Sequence, residues 1–524
     1  MKKTIIILIT LLIAPLLFLS QQSSVNNVNG FTADPGSFEI LNRFQGRNNV
    51  LKIDRSKTNY FIASYRLDQY RGRMITIEFS VDVWLEGSAS MLIWQISNPP
   101  NYPDITGIDN AAPNQWHNMK GRIVVTPTQN DWSVLYLTNW GMPSNTIVYI
   151  ANPTVTITAG NPFTADFSLI PLKTIFANYF KVGNIIDETY ISGSYYDLLK
   201  YHFNSVSPDR NLLPAFLAPV NKGEAYQWTD ADQIVNQAIR DNMEVHGKHL
   251  VWHNLTPAWM TEGTREEVIH NMNEYITTVL RHFNGRVSTW VVVNEAVRDG
   301  LTARDARGDW RNCLNDSQNR INIHSPQNRW FEKLGADYIE LAFRAADPNI
   351  LLYYNDNGLE DVNKAEVVRK MIQDINDRYR RETGGNRNLI DGLGSQAHIN
   401  DLNLNMNNVR TALDKLVSLG IEISITEMDI SIGGWVGESR GMDSAMSERD
   451  AMAQALLYAR LMQLYKEYSA HITRVSFWGM DDNRSWLSKG NPTLFDWKLN
   501  AKPAFHAVSD PEGFIRQHGG RTRR

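Results

Sequence analysis

Eight short apolar runs, each suited to a buried strand, occur along residues 167–515, and segments with helical spacing lie between most of them. The runs are FKVGNI, YHFNSVS, MEVHGKHLVW, VSTWVVVNE, NILLYYND, DGLGSQAH, GIEISITEMD and ITRVSFWG. Residues 229–242 repeat apolar positions at 234, 235, 238 and 239 behind a Thr or Asp cap, which predicts a helix. Strands alternating with helices in this number predict an α/β fold, a closed (β/α)8 TIM barrel. An open doubly wound sheet is the alternative, but no glycine-rich phosphate-binding motif favours it.

Residues 30–160 follow a different pattern. Short β-rich runs such as MITIEFSVDVWL and TIVYIANPTVTIT are separated by Gly, Pro, Asn and Asp, without helical periodicity. This pattern predicts an all-β sandwich ahead of the barrel. The segment AGNPFTAD, residues 159–166, is typical of a linker.

The N-terminus has the layout of an export signal. Lys2 and Lys3 precede the apolar run TIIILITLLIAPLLFL, and polar residues follow it. We therefore expect residues 1–22 to be a signal peptide and the mature chain to be extracellular or periplasmic. The small-x-small cleavage pattern is poor, so an uncleaved anchor is the alternative. Cys313 is the only cysteine, which excludes a disulfide framework within the chain.

Charge limits the classes of partner. The formal net charge of the 524 residues is -4, so no basic field attracts nucleic acid. No later run is long and apolar enough to cross a membrane. We expect no nucleic-acid partner, no stable membrane partner, and a monomer.

Two carboxylates end two of the predicted strands. Glu295 ends the fourth run and Glu427 lies at the end of the seventh. The carboxyl ends of barrel strands face the functional mouth, and the fourth and seventh strands lie on roughly opposite sides of it. A facing pair of carboxylates is what glycosidic bond cleavage requires, with either retention or inversion at the anomeric carbon. A single Glu at a strand end is often only a surface charge, so the pair carries the prediction.

Polar and aromatic residues accompany this pair. Strand alternation would put Asp429 on the same face as Glu427, and Gln396 on the same face as His398. His398 could then hydrogen-bond Glu427 and keep it ionised. Asn294 is placed beside Glu295 to bond a sugar hydroxyl. The candidate apolar walls against sugar rings are Trp478 and Trp486.

Two other chemistries find little support. His246, His249 and His253 are spaced so that only the last two share a strand face, and the chain lacks H-E-x-x-H and any Cys/His cluster. The G-x-S-x-G elbow of serine hydrolases is also absent. We expect no metal and no cofactor.

Six further segments occur in a fixed order along the barrel region: HGKHLVWHNLTPAW, WVVVNEA, YNDNGLE, SQAHI, ITEMDI and FWGMDDNRSW. In this order they resemble glycoside hydrolase family ten, the endo-β-1,4-xylanases, over roughly residues 170–508. The resemblance implies a (β/α)8 barrel and a retaining hydrolase of xylan or a related polysaccharide that needs no cofactor.

The resemblance also implies residue roles. Glu295 would be the acid/base and Glu427 the nucleophile, with His398 and Asp429 orienting it. The residues implied to bind or shape the sugar site are Asn294, Gln396, Trp252, Trp478 and Trp486.

Several positions depart from the family. Asp209, Arg210 and Leu213 stand where the family has Glu, Asn and Lys, and Asn357 stands at an aromatic position. Lys248 replaces a sugar-binding His, and Leu255 replaces a Gln. We expect Asp209, Arg210 and Lys248 to line the glycone side. One hypothesis is that the two cations bind an anionic sugar such as a uronate of decorated xylan. The alternative is that Arg210 only fills space left by the missing Lys.

The sandwich resembles a carbohydrate-binding module. Most of its tryptophans should fill the core, as in other sandwiches, with two exposed to a ligand; they are Trp84, Trp94, Trp116, Trp132 and Trp140. A polysaccharide-binding protein with little turnover and a transglycosylase remain as alternative functions.

Overall fold

The computed structural model describes residues 27–58, 61–97, 104–127, 133–138, 141–159, 165–188, 191–315, 328–346, 349–432, 446–482, 485–487 and 490–519. The predicted signal peptide, most of the predicted linker, Trp132 and Trp140 lie outside these ranges. Within them, no helix has the length and apolar character needed to span a membrane.

The β domain, residues 38–159, contains nine strands in its described part. They are β1 (Phe38–Phe44), β2 (Arg47–Asp54), β3 (Ala63–Arg66), β4 (Ile75–Glu86), β5 (Ala89–Ser97), β6 (Asp104–Ala111), β7 (Trp116–Val125), β8 (Val134–Leu137) and β9 (Ile147–Ala159). They form two antiparallel sheets, with strand orders β1-β2-β9-β4-β7 and β3-β8-β5-β6. Inward-facing residues of both sheets make one core, where Phe31 packs edge-on against Trp94 with ring centroids 5.5 Å apart.

Parallel strands form the second unit. They are β10 (Lys181–Ile186), β11 (Ser205–Pro208), β12 (Glu244–Gly247), β13 (Thr289–Asn294), β14 (Leu351–Asp356), β15 (Gly392–Ser395), β16 (His398–Ile399), β17 (Glu422–Ile430) and β18 (Ile472–Phe477). Pairing of β10 with β18 and of β15 with β17 closes an eight-stranded barrel, and the short β16 adds to β17. Each predicted run overlaps one of the eight barrel strands. The closed barrel is confirmed, and the open-sheet alternative is wrong.

Helices connect the strands. They are α1 (Leu172–Ile175), α2 (Gly193–His202), α3 (Pro214–Leu217), α4 (Thr229–Arg240), α5 (Arg265–His282), α6 (Ala303–Arg307), α7 (Arg329–Leu334), α8 (Asp337–Ala345), α9 (Val362–Thr383), α10 (Met406–Val417), α11 (Glu448–Glu467), α12 (Pro503–Ser509) and α13 (Pro511–His518). The helix predicted over 229–242 is α4, but its N-cap is Trp228, which makes no side-chain cap. Asp230 and Asp232 in its first turn instead place negative charge near the helix N-terminus.

The strand that leads to Glu295 shows why barrel strands are so apolar. Every residue of β13 is buried, because the barrel interior covers one face and the helices cover the other. Trp290 packs so closely on Gly247 of β12 that a Cβ there would lie 2.4 Å from its ring. Only glycine fits at that position without a shift of the indole.

Candidate active site

Glu295 sits where the buried strand β13 ends in a sharp turn. Its φ is 53°, in the left-handed region that non-glycine residues rarely adopt. Its backbone N–H donates to the Asn355 carbonyl oxygen at 2.9 Å, which holds the turn. A strained residue at a site lined by polar groups is typical of a functional position.

The Glu295 carboxyl is partly exposed and has two neutral donors. Trp252 Nε1 donates to Oε2 at 2.9 Å, and Gln396 Nε2 donates to Oε1 at 2.8 Å. The indole and the amide fix the orientation of the carboxyl without adding charge beside it. The Glu295 carboxyl is therefore accessible to solvent or to a ligand.

Glu427 has the opposite environment. It is 4% exposed, and Oε1 accepts from Lys248 Nζ at 2.7 Å and from Asn355 Nδ2 at 3.0 Å. His398 Nε2 lies 3.4 Å from Oε2. Burial alone would raise the pKa of Glu427, but the Lys248 and His398 cations reverse this and hold the pKa well below its usual range. Glu427 is ionised at neutral pH.

His398 is held between two carboxylates. Its Nδ1 lies 3.0 Å from Asp429 Oδ1, and its Nε2 faces Glu427. Burial disfavours the imidazolium, yet Asp429 and Glu427 together raise the pKa of His398 to about 10. Asp429 Oδ2 in turn accepts from Trp486 Nε1 at 2.8 Å. The Trp486 side chain, which is 55% exposed, is therefore connected to Glu427 through Asp429 and His398.

Three amides bridge the two glutamates. Asn294 Oδ1 accepts from Asn355 Nδ2 at 2.8 Å and from Gln396 Nε2 at 3.2 Å. Asn355 also donates to Glu427, while Gln396 donates to Glu295. The buried Asn294 Nδ2 has no hydrogen-bond partner among the described residues. A ligand hydroxyl would satisfy this donor.

Lys248 occupies the wall of the site next to Glu427. It is 1% exposed, and its Nζ lies 3.8 Å from the ring centroid of Trp478. Burial lowers the pKa of Lys248, and the neighbouring Glu427 carboxylate opposes that shift. The ammonium is enclosed by a carboxylate and an aromatic face.

The second predicted cation is also paired. Arg210 Nη2 donates to Glu188 Oε1 at 2.7 Å, and Asn211 Nδ2 donates to Glu188 Oε2 at 2.8 Å. Asp209 next to it makes electrostatic contact with Lys248, and burial together with Asp187 raises the pKa of Asp209 to about 6. Both cations that the anionic-sugar hypothesis depends on therefore already have carboxylate partners.

The comparison with known proteins matches this arrangement. A family model described as glycosyl hydrolase family 10 matches residues 171–511, more than half of the chain. The chain belongs to glycosyl hydrolase family 10.

The chain is also similar to individual xylanases. Endo-1,4-beta-xylanase A of Thermoanaerobacterium saccharolyticum is 29% identical over 467 residues, which cover 84% of this chain and 36% of that relative. The chain thus spans about a third of that relative's length. A crystal structure of a family 10 xylanase with a bacterial Ig-like domain, from termite gut, aligns with a TM-score of 0.60 at 28% identity and covers 82% of this chain and 94% of its own.

A second solved structure covers the barrel. It is the intracellular xylanase TsXylA of Thermoanaerobacterium saccharolyticum in complex with xylotetraose, with a TM-score of 0.55 and 31% identity. The alignment covers 66% of this chain and 100% of that one.

Asn355 is a residue of this family 10 site that the sequence prediction missed. It touches Asn294 and Glu427, and its Oδ1 accepts from Thr426 Oγ1 at 2.7 Å. The available signal was its position at the end of the fifth apolar run, in YND. Polar residues at the ends of other strands are predicted to line the site because of their position, and Asn355 has the same position on its strand.

A second missed group supports the chain beyond Glu295. Lys364 Nζ lies 3.0 Å from Asp356 Oδ1 and donates to Asp299 at 2.6 Å. Tyr354 donates to Asp356, and the Ala296 N–H donates to the Tyr354 hydroxyl at 3.1 Å. Burial raises the pKa of Asp356 to about 6 although Lys364 opposes the shift. These side chains stabilise the left-handed turn at Glu295.

The strand-alternation interpretation of Gln396 and His398 is wrong. Strand β15 ends at Ser395 and β16 begins at His398, with Ala397 between them at a φ of 57°. The alternation rule applies only to continuous extended backbone. Both side chains reach the site because the chain bends there.

The described histidines do not form a metal site. Among the residues covered by the structure, no group of three His, Cys, Asp or Glu side chains is arranged to hold a metal ion. Burial lowers the pKa of His249 to about 3 and of His253 to about 4, so both are neutral imidazoles near the wall of the site.

We predict that His398 remains protonated from pH 5 to beyond pH 8, because Asp429 and Glu427 stabilise its charge. Carbon-13 labelling of histidine Cε1 with NMR titration measures this. Asp429→Asn should lower the His398 midpoint by about 1–3 pH units. His202 is the internal contrast, since burial and Lys173 lower its pKa to about 4. A neutral His398 at pH 7 would contradict the geometry.

Proposed function

We propose that this family 10 chain is a retaining endo-glycosidase that hydrolyses internal β-1,4 bonds of xylan or a related polysaccharide. The observation that carries the proposal is the contrast between the two carboxylates. Glu427 is buried, ionised and held by two cations, whereas Glu295 is partly exposed and contacts neutral donors. Such a difference in environment separates a nucleophile from an acid/base.

The first step forms a covalent intermediate. A Glu427 oxygen attacks the anomeric carbon, the bond to the leaving sugar oxygen breaks, and Glu295 gives that oxygen its proton. In the second step Glu295 takes a proton from water, and the water oxygen displaces Glu427 from the anomeric carbon. Two inversions restore the original configuration, and both carboxyls return to their starting states.

The remaining site residues would position the sugar. The unpartnered Asn294 Nδ2 can donate to a hydroxyl beside the cleaved bond, since a buried donor left unsatisfied is costly. Trp478 and Trp486 can flank sugar rings next to Glu427. Gln396 and Trp252 hold Glu295 directly and so belong to its immediate surroundings.

Xylan is proposed as substrate because the matched relatives carry xylanase names. The paired states of Arg210 and Lys248 favour a neutral backbone over an anionic decoration. We also propose export through residues 1–22, on the charged and apolar pattern of the N-terminus.

Azide rescue tests the assignment of roles. With an activated aryl xylobioside, Glu427→Ala should lose turnover by about a thousandfold or more. Added azide should then attack in place of Glu427 and yield the α-glycosyl azide. Glu295→Ala with azide should yield the β-glycosyl azide, because the intermediate on Glu427 still forms.

The control for this test lies on the same strand. Glu422, at the start of β17 and away from the mouth, accepts a hydrogen bond from the Tyr353 hydroxyl at 2.6 Å, so Glu422→Ala should form no azide product. If the chain binds xylan but shows no release of reducing sugar that Glu427→Ala abolishes, the result would support a binding protein. Products longer than the starting oligosaccharide would support a transglycosylase.

We further propose that the β domain binds polysaccharide. An aromatic group lies outside its main core and consists of Phe44, Trp84, Trp116 and Tyr149. Trp84 and Trp116 are partly exposed with ring centroids 5.6 Å apart, whereas Trp94 is fully buried. Close by, the Asp82 carboxylate accepts from Arg47, Asn118 and Asn152. Aromatic faces beside polar groups suit sugar rings.

The double change Trp84→Ala and Trp116→Ala should weaken retention on insoluble xylan by about tenfold or more. Turnover of soluble aryl xylobioside should stay unchanged, because the barrel site is untouched. Lys120→Ala, an exposed change on the same strand β7, is the control. Unchanged retention of the double variant would remove this proposal.

A further inference from the structure

We propose that Lys248 is a positioning residue for Glu427. The Lys248 ammonium fixes one oxygen of the Glu427 carboxylate, and His398 contacts the other oxygen. This inference rests on the proposed function, because it assigns a part in the same reaction. It replaces the expectation that Lys248 binds the sugar. Lys248 is one of the positions at which the sequence departs from the family resemblance.

The contacts of the ammonium leave little room for a ligand. Nζ lies 2.7 Å from Glu427 Oε1 and 3.8 Å from the Trp478 ring centroid, and Lys248 is 1% exposed. A sugar hydroxyl or a uronate could reach Nζ only if the ion pair opened or the indole moved. Opening would leave Lys248 as a buried cation without its carboxylate partner and would leave His398 as the remaining ion-pair partner of Glu427, which is strongly unfavourable.

The two carboxylate oxygens are held unequally. Glu427 Oε1 accepts hydrogen bonds from Lys248 Nζ at 2.7 Å and from Asn355 Nδ2 at 3.0 Å, whereas His398 Nε2 lies 3.4 Å from Oε2. Oε1 is therefore the anchored oxygen, and Oε2 is the one better able to leave its contact and bond the anomeric carbon. In the covalent intermediate Oε1 would be the ester carbonyl oxygen, still facing the ammonium.

The surrounding charges make Lys248 the main fixed cation at Oε1. His246 and His249 are neutral, since burial lowers their pKa values. The buried Arg474 donates to Ser207 Oγ at 2.9 Å and makes no ion pair within 4.0 Å among the described residues. The charged groups that face the pair from neighbouring elements are Asp209, His398 and Arg474, and Asp429 pairs with His398.

Lys248 should act on the two chemical steps differently. A cation at Oε1 stabilises the free carboxylate, so it favours departure of Glu427 in the second step and opposes its attack in the first. Without that cation the covalent intermediate should accumulate. The loss should therefore appear in kcat rather than in substrate binding.

The test uses the full chain with Lys248→Met, which keeps an unbranched side chain of similar size without the charge, and Lys248→Arg, which keeps the charge. On an activated aryl xylobioside, Lys248→Met should lower kcat by tenfold or more, lower KM, and release a burst of aryl alcohol. The acid limb of kcat/KM should move up by at least one pH unit. Lys248→Arg should retain the wild-type acid limb. Lys173→Met is the control, because the Lys173 ammonium lies on α1 and donates to the Lys200 carbonyl oxygen at 2.6 Å.

A direct titration separates this inference from the proposed function. Carbon-13 NMR of labelled glutamate, with Glu427→Gln to assign the signal, follows the Glu427 carboxyl even if the chain turns over no substrate. Its midpoint should rise in Lys248→Met. If that variant does not fold, Lys248→Gln, which carries no charge at any pH, should show the same rise. An unchanged midpoint, or a higher KM with an unchanged acid limb, would overturn the inference and return Lys248 to sugar binding.

Discussion

A single buried carboxylate at the mouth of the barrel, Glu427, dictates what surrounds it. A carboxylate removed from water needs cations and donors at hydrogen-bonding distance, or it takes up a proton. Lys248 comes from the chain after β12, Asn355 from β14 and His398 from β16, so three separate segments must converge on β17. Only closure of the sheet brings these carboxyl ends together, and the long apolar core beneath them holds the ring closed.

Much of the fold was predictable because it depends on local periodicity. Buried parallel strands are continuous apolar runs, and each of the eight marked a real strand. The pairing of Glu295 with Glu427 was predictable for the same reason, since barrel topology sets which strand ends oppose each other. The left-handed turns at Glu295 and Ala397 were not, because no pattern of apolar residues marks a break in extended backbone.

The ion-pair partners of the charged site residues could not be predicted from the sequence either. Arg210 and Lys248 look available for an acidic ligand when only the residue types are known. In the structure Glu188 neutralises the first and Glu427 the second. A side chain's partner depends on distances between segments far apart in the chain, here 179 residues for Lys248 and Glu427. Arg210 and Lys248 therefore present little free positive charge to a sugar. The main effect of Lys248 is on how the proposed nucleophile Glu427 is held.

Trapping of the covalent intermediate tests most directly whether Glu427 is the ionised nucleophile. An activated xylobioside with fluorine in place of the hydroxyl next to the anomeric carbon forms the intermediate and then reacts only slowly with water. Peptide mass spectrometry after digestion should locate one sugar on Glu427, with Glu295 unmodified. Label on Glu295, or complete inactivity toward this reagent in a chain that hydrolyses xylan, would contradict the assignment.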